Sequence, residues 1–152
     1  MPQIAYDDPR APDVRALLDA HLAMTRAASP PEDVHALDVS GLLDPSVSFF
    51  SLRSGGEVLA VGALKRLSPS HAEVKSMHTA AAARGRGIAR AMLAHLLAVA
   101  RAEGLERVSL ETGSTAVFAP ARSLYASAGF VDCEPFGDYV RSPYSSFMTL
   151  EL

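Results

Sequence analysis

The chain has 152 residues, one domain on a scale of roughly 150 residues each, and enough to bury a core without disulfides or metals. Apolar residues make up 49% and charged residues 20%, as in a water-soluble globule, and the formal charge of −3 argues against a nucleic-acid protein, whose phosphate contacts need a basic face. No apolar run approaches the ~20 residues of a membrane span, the opening residues lack the layout of a secretion signal, and the lone cysteine, Cys133, gives neither a disulfide nor metal-ligand spacing, so a cytoplasmic protein without membrane or metal is expected.

Val14, Leu17, Leu18, His21, Leu22 and Thr25 recur at helical spacing and predict a helix over residues 12–28, capped by Asp8 or Asp13 and stopped by Pro30-Pro31. A second, short helix is expected over 32–43. Aromatic and β-branched residues then predict a strand over 47–53, a turn at Ser54-Gly55-Gly56-Glu57 and a partner strand over 58–67. A strand over 72–79 leads into a small-residue loop, 80–87, and a strongly apolar helix over 88–103 that stops at Gly104. Residues 107–112 read as a strand, 116–128 as a helix ending at Gly129, and strands from Phe130 and over 146–152 close the chain. The order β–α–α–β–β–β–α–β–α–β–β predicts an α/β fold with a mixed sheet, residues 1–152 forming one domain. The last strand is expected at a sheet edge, where a homodimer would form.

A strand, a glycine loop and a helix together gather unpaired amides and partial positive charge around an anion. Gly85 and Gly87 allow close backbone approach to a phosphate, and Arg84 and Arg86 add charge. The loop lacks the Gly-Lys-Ser/Thr of a Walker loop and the three spaced glycines of a dinucleotide fingerprint, which argues against a nucleotide-phosphate binder. A surface turn with incidental arginines is the plainer alternative.

The run Arg84-Gly85-Arg86-Gly87-Ile88-Ala89 resembles the pyrophosphate-binding motif [Arg/Gln]-x-x-Gly-x-[Gly/Ala] of the GNAT superfamily of N-acetyltransferases. Downstream, Ala121-Arg122-Ser123-Leu124-Tyr125 with Ala128-Gly129-Phe130 resembles that family's A-x-x-L-Y-x-x-x-G-F segment. The element order is similar over nearly the whole chain. This resemblance implies a mixed, mostly antiparallel central sheet with helices on both faces, and direct transfer of acetyl from acetyl-CoA to a primary amine of a small or amino-acid-like acceptor. A protein amine as acceptor, or a non-catalytic acyl-CoA-binding or sensing module, are the other readings. Backbone groups of Met77, His78 and Thr79 are implied to contact the pantetheine arm, and those of Arg84, Gly85, Arg86, Gly87, Ile88 and Ala89 the pyrophosphate. Two positions depart from the family pattern: Ala81 replaces a common Pro, and Phe118 a common Asn that contacts the cofactor.

An alkyl ammonium with pKa ~10.4 must lose a proton before it attacks, so a base is needed near pH 7, together with donors for the developing oxyanion. The resemblance implies that donor near Met77 or His78. It also implies Tyr125 as proton donor to the departing thiolate, against the alternative of a ring packed in the core. Glu73 lies 11 residues before Arg84, the spacing at which histone-acetylating members carry their base. Strand alternation puts Glu73, Lys75 and Met77 on one face, and Val74, Ser76 and His78 on the other. Lys75 beside Glu73 would weaken it as a base, and is a candidate to receive a substrate carboxylate. Glu111 alternates with Ser109 and Gly113 on the neighbouring strand and is a second candidate for the same cleft. His21 and His35 fall in the helical region that lines the acceptor site in the superfamily, and Asp138 with Tyr139 are candidates to close it.

Overall fold

The computed structural model describes residues 2–152. Its strands are β1 (Pro2–Tyr6), β2 (Val47–Ser54), β3 (Glu57–Arg66), β4 (His71–Thr79), β5 (Arg107–Gly113), β6 (Val131–Asp132) and β7 (Ser145–Glu151). Its α-helices are α1 (Pro12–Ala28), α2 (Val39–Leu42), α3 (Ile88–Ala102) and α4 (Ala119–Ser127). The expected order of elements is the observed one. One seven-stranded sheet runs β1-β2-β3-β4-β5-β7-β6, antiparallel throughout except for the β4–β5 pair, which the α3 crossover makes parallel.

Side-chain alternation along the strands builds two cores. On one face Phe49, Val61 and Ala63 pack with Val14 and Leu18 of α1 and Leu42 of α2. On the other, Phe50, Leu52, Leu64, Val74, Val108 and Leu110 meet the apolar stripe of α3, Met92, Leu93, Leu96 and Ala100, and Tyr125 of α4. Each fully buried Leu or Phe contributes about 1.5–3 kcal/mol, so the larger cluster holds the helix that carries the glycine loop. No helix among the described residues is long and apolar enough to cross a membrane.

Several local expectations are corrected. The cap of α1 is Ala11, with no side-chain hydrogen bond; Asp8 instead turns back to Arg10, and Asp13 binds Arg53. In place of a helix over 32–43 there is one 3-10 turn, Pro31–Asp33, then extended chain, then the single turn of α2, capped where Asp38 accepts from the Gly41 amide at 2.8 Å. The strand expected from Phe130 is the two-residue β6, followed by a long connection. Strand β7 is not an edge: it lies between β5 and β6, so the edge on which a dimer was expected is partly covered.

Strict alternation also fails within β4. Val61 pairs with His78 and Ala63 with Lys75, so Ser76 and Met77 together face Gly62 in a β-bulge. Ser76 sits at φ 56°, left-handed backbone rare for any residue but glycine. The extra residue moves His78 onto the Lys75 face, toward α1, and turns Met77 into the α3 core. Gly62 makes this feasible, because a Cβ there would stand 2.9 Å from Met92 Cγ and 3.1 Å from Met77 Sδ.

Candidate active site

Strands β4 and β5 pair at only three positions, His71–Glu73 against Arg107–Ser109. Beyond them the strands part, and two hollows open where they diverge.

The first is a cleft of about 420 Å³ lined by Met77, His78, Thr79 and the loop residues Arg84, Gly85, Gly87, Ile88 and Ala89. Gly85 and Gly87 are both left-handed, at φ 76° and 77°, with open space where side chains would be. Gly87 caps α3 without any side-chain hydrogen bond, so the first-turn amides of the helix are free for an anion. Ala80 donates its N–H to Leu59 O on β3 at 2.8 Å, so alternation turns the backbone groups of Met77 and Thr79 toward the cleft and those of His78 toward β3. The Thr79 carbonyl accepts from Arg84 Nε at 3.3 Å. Of the expected loop residues, Arg86 alone is not in the lining. Amides to wrap a phosphate and an apolar wall behind them fit a phosphorylated carrier with an apolar arm.

The second hollow, about 110 Å³, lies between α1, the Pro31–Asp33 turn, β4 and β5. Its lining includes His21, Asp33, His35, Lys75 and Glu111, and Met77, Phe118 and Tyr125 are among the residues it shares with the first. Phe118 can stand there because Gly113 has no side chain: a Cβ would meet the Phe118 ring at 2.0 Å.

The two carboxylates named from sequence have opposite surroundings. Glu73 lines neither hollow; it is buried, 3.3 Å from Lys75 Nζ, and accepts a short hydrogen bond from the Tyr139 hydroxyl. Lys75 spends its three N–H donors on Glu73, on Tyr139 Oη at 2.9 Å and on the His35 carbonyl at 3.0 Å. It therefore has no donor left for a substrate carboxylate. Glu111 faces the second hollow, and burial pushes its carboxyl up to about 7, where it can give and take a proton at neutral pH. Tyr125, almost wholly buried and with its ring packed edge-on against Phe130, lies where the two hollows meet; burial and then Glu111 raise its phenol, keeping it a neutral donor.

His21 and His78 meet at 3.2 Å through their Nδ1 atoms, one donating and the other accepting. Burial foremost pushes each down to about 4, so the pair is uncharged at pH 7 and ties α1 to β4 across the bulge. Tyr139 reaches the sheet from the C-terminal loop and packs against His35, Phe136 and Phe147, whereas Asp138 makes no side-chain contact with the hollow. Sequence reading missed Asp33, an ordinary surface acid by its neighbours, and the bulge, which left no mark beyond a glycine on the partner strand.

A family model for the acetyltransferase (GNAT) family matches residues 14–130. The uncharacterized N-acetyltransferase YsnE of Bacillus subtilis is 46% identical over 149 residues, covering 98% of this chain and 99% of its own. A Klebsiella pneumoniae structure assigned as an acyl-CoA N-acyltransferase superposes with a TM-score of 0.85 at 28% identity, over 100% of this chain and 98% of its own. A GNAT family acetyltransferase from Elizabethkingia anophelis with acetyl-CoA bound shares the fold at a TM-score of 0.71 and 16% identity, over 99% of this chain and 98% of its own.

Proposed function

Because the chain belongs to the GNAT family of acetyltransferases and so is an acetyl-CoA-dependent acetyltransferase, we propose that it moves the acetyl group directly to a primary amine, with Glu111 as the base. Acetyl-CoA supplies the activated thioester. The left-handed glycines and free amides of the 84–89 loop hold its pyrophosphate, and the outward backbone of Met77 and Thr79 holds its pantetheine arm. The Met77 N–H is the donor for charge developing on the carbonyl oxygen.

One observation carries the assignment of the base: Glu111 is the carboxylate in the second hollow that burial brings to about 7, while Glu73 is held by Lys75 and Tyr139. Glu111 takes the proton from the incoming ammonium, nitrogen attacks, and the N–C bond forms as the C–S bond breaks. Tyr125 hands its proton to the leaving sulfur and is refilled from Glu111, which then takes the second proton from the acylated nitrogen and releases it to water, so the products are the amide, CoA thiol and one proton.

Calorimetric titration with acetyl-CoA, CoA and ATP tests the cosubstrate: one-site binding of both CoA species without ATP is expected. Thiol release against a panel of amines then tests the chemistry. The wild type is expected to gain rate as pH rises through about 7, and Glu111→Gln to lose about 10²–10⁴-fold together with that inflection. An unchanged profile in the variant overturns Glu111 as base. Tyr125→Phe is expected to lower kcat with acetyl-CoA affinity unchanged.

A further inference from the structure

We propose that the acceptor is a slender primary amine with no carboxylate near its reacting end, an alkyl- or arylalkylamine rather than an amino acid; this rests on the amine-acetyltransferase reading above. The charge pattern of the acceptor hollow carries it. Asp33 and Glu111 are the two acidic residues of its lining, one on the Pro31–Asp33 turn and one on β5. From α1 and from the extended chain after the turn come His21 and His35, both held neutral chiefly by burial. From β4 comes Lys75, whose charge is matched by Glu73 and whose three donors are all engaged. Arg122 turns one guanidinium nitrogen to the Gly113 and Thr115 carbonyls, at 2.7 and 2.9 Å, and does not line the hollow.

The unmatched charge of the hollow is therefore negative. A guest ammonium entering it exchanges hydration for two carboxylates. A guest carboxylate meets no unpaired cation there, only neutral hydroxyls such as those of Ser76 and Tyr125, which do not offset the cost of burying its charge. In an α-amino acid the geometry is worse still: placing the nitrogen at Glu111 brings the α-carboxylate within a few bonds of the same anion. The hollow is also narrow, about 110 Å³ beside about 420 Å³ for the cleft that receives the cosubstrate.

The test is kcat/KM by thiol release with acetyl-CoA on matched pairs that differ in the carboxylate alone: tyramine and tyrosine, agmatine and arginine, isoamylamine and leucine. The decarboxylated member is expected to win at least about 100-fold in the pairs that react, and leucinamide, with its carboxylate masked, to regain most of the loss. Nα-acetyl-lysine N-methylamide, run in parallel, separates a lysine side chain of a protein from a free small amine. Asp33→Asn is expected to raise KM for the amine while leaving the calorimetric affinity for acetyl-CoA unchanged. Equal or better turnover of the amino acids overturns the proposal, as does an enzyme that binds acetyl-CoA and acetylates none of these amines. Failure to bind acetyl-CoA removes instead the reading on which the proposal rests.

Discussion

Glu111, proposed here as the base, illustrates at the scale of one residue how such a role would oppose stability. Its folded-state value, about 7, lies above the ordinary 4.5, so the native protein holds the proton more tightly than the unfolded chain. Stability from this group is present at low pH and is lost as pH rises from about 4.5 to 7, by up to about 3 kcal/mol. Glu111→Gln should therefore be more stable than the wild type at pH 8 and indistinguishable from it at pH 4.5, as urea denaturation at the two pH values would show. The histidine pair works in the opposite sense. Both rings titrate near 4 in the fold instead of 6.5, so the unfolded chain binds more protons in that window and stability is lost as pH falls from 6.5 to 4. His21→Gln should flatten this acid limb, at a cost to the α1–β4 contact that is felt at every pH. An acid limb as steep in His21→Gln as in the wild type would mean that the pair is not what the fold protects from protonation.

Among the elements, β4 does the most for the site, through its bulge. Ser76→Gly removes the left-handed penalty and should hold or raise stability, whereas Ser76→Val should cost roughly 1–3 kcal/mol and disturb the cleft; comparing denaturation midpoints with acetyl-CoA affinity measures both. In the loop before α3, Gly87→Glu places a side chain at φ 77° and a negative charge in the anion site, and CoA affinity should disappear. These two segments also mark how far sequence reading reaches. The glycine loop was legible because left-handed positions demand glycine and the demand is written in residue types. The bulge was not, because it follows from Met77, Met92 and Gly62 fitting together across three elements. That one extra residue inverted the expected faces of Met77 and His78, and with them the expected surroundings of both. Strand alternation makes Glu73 and Lys75 legible as neighbours. Their closure by Tyr139, 64 residues beyond Lys75, depends on a loop whose path no local pattern fixes.

The whole molecule is a sheet of two parts, β1 to β4 and β5 to β7, joined through three parallel pairs and splayed beyond them. A ligand seated in the splay touches β4, α3 and α4 together and so binds the native state alone. At a hundredfold excess over its Kd, acetyl-CoA should stabilise the fold by about 2.7 kcal/mol, a rise in Tm of roughly 5–10 °C, and ATP should give none. Thermal scans with each ligand test this.

The bulge has a consequence for the chain as it is being made. Strands β2, β3 and β4 are consecutive in sequence and can pair as soon as residue 79 has left the ribosome, while β5 arrives only after a further helix. During that interval β4 is a bare strand edge, the kind of surface on which nascent chains stick to one another. The irregularity at Ser76 and the ammonium of Lys75 interrupt that edge before it has a partner. The same kink that sets the faces of Met77 and His78 thus makes the half-finished sheet a poor template for a second copy of itself.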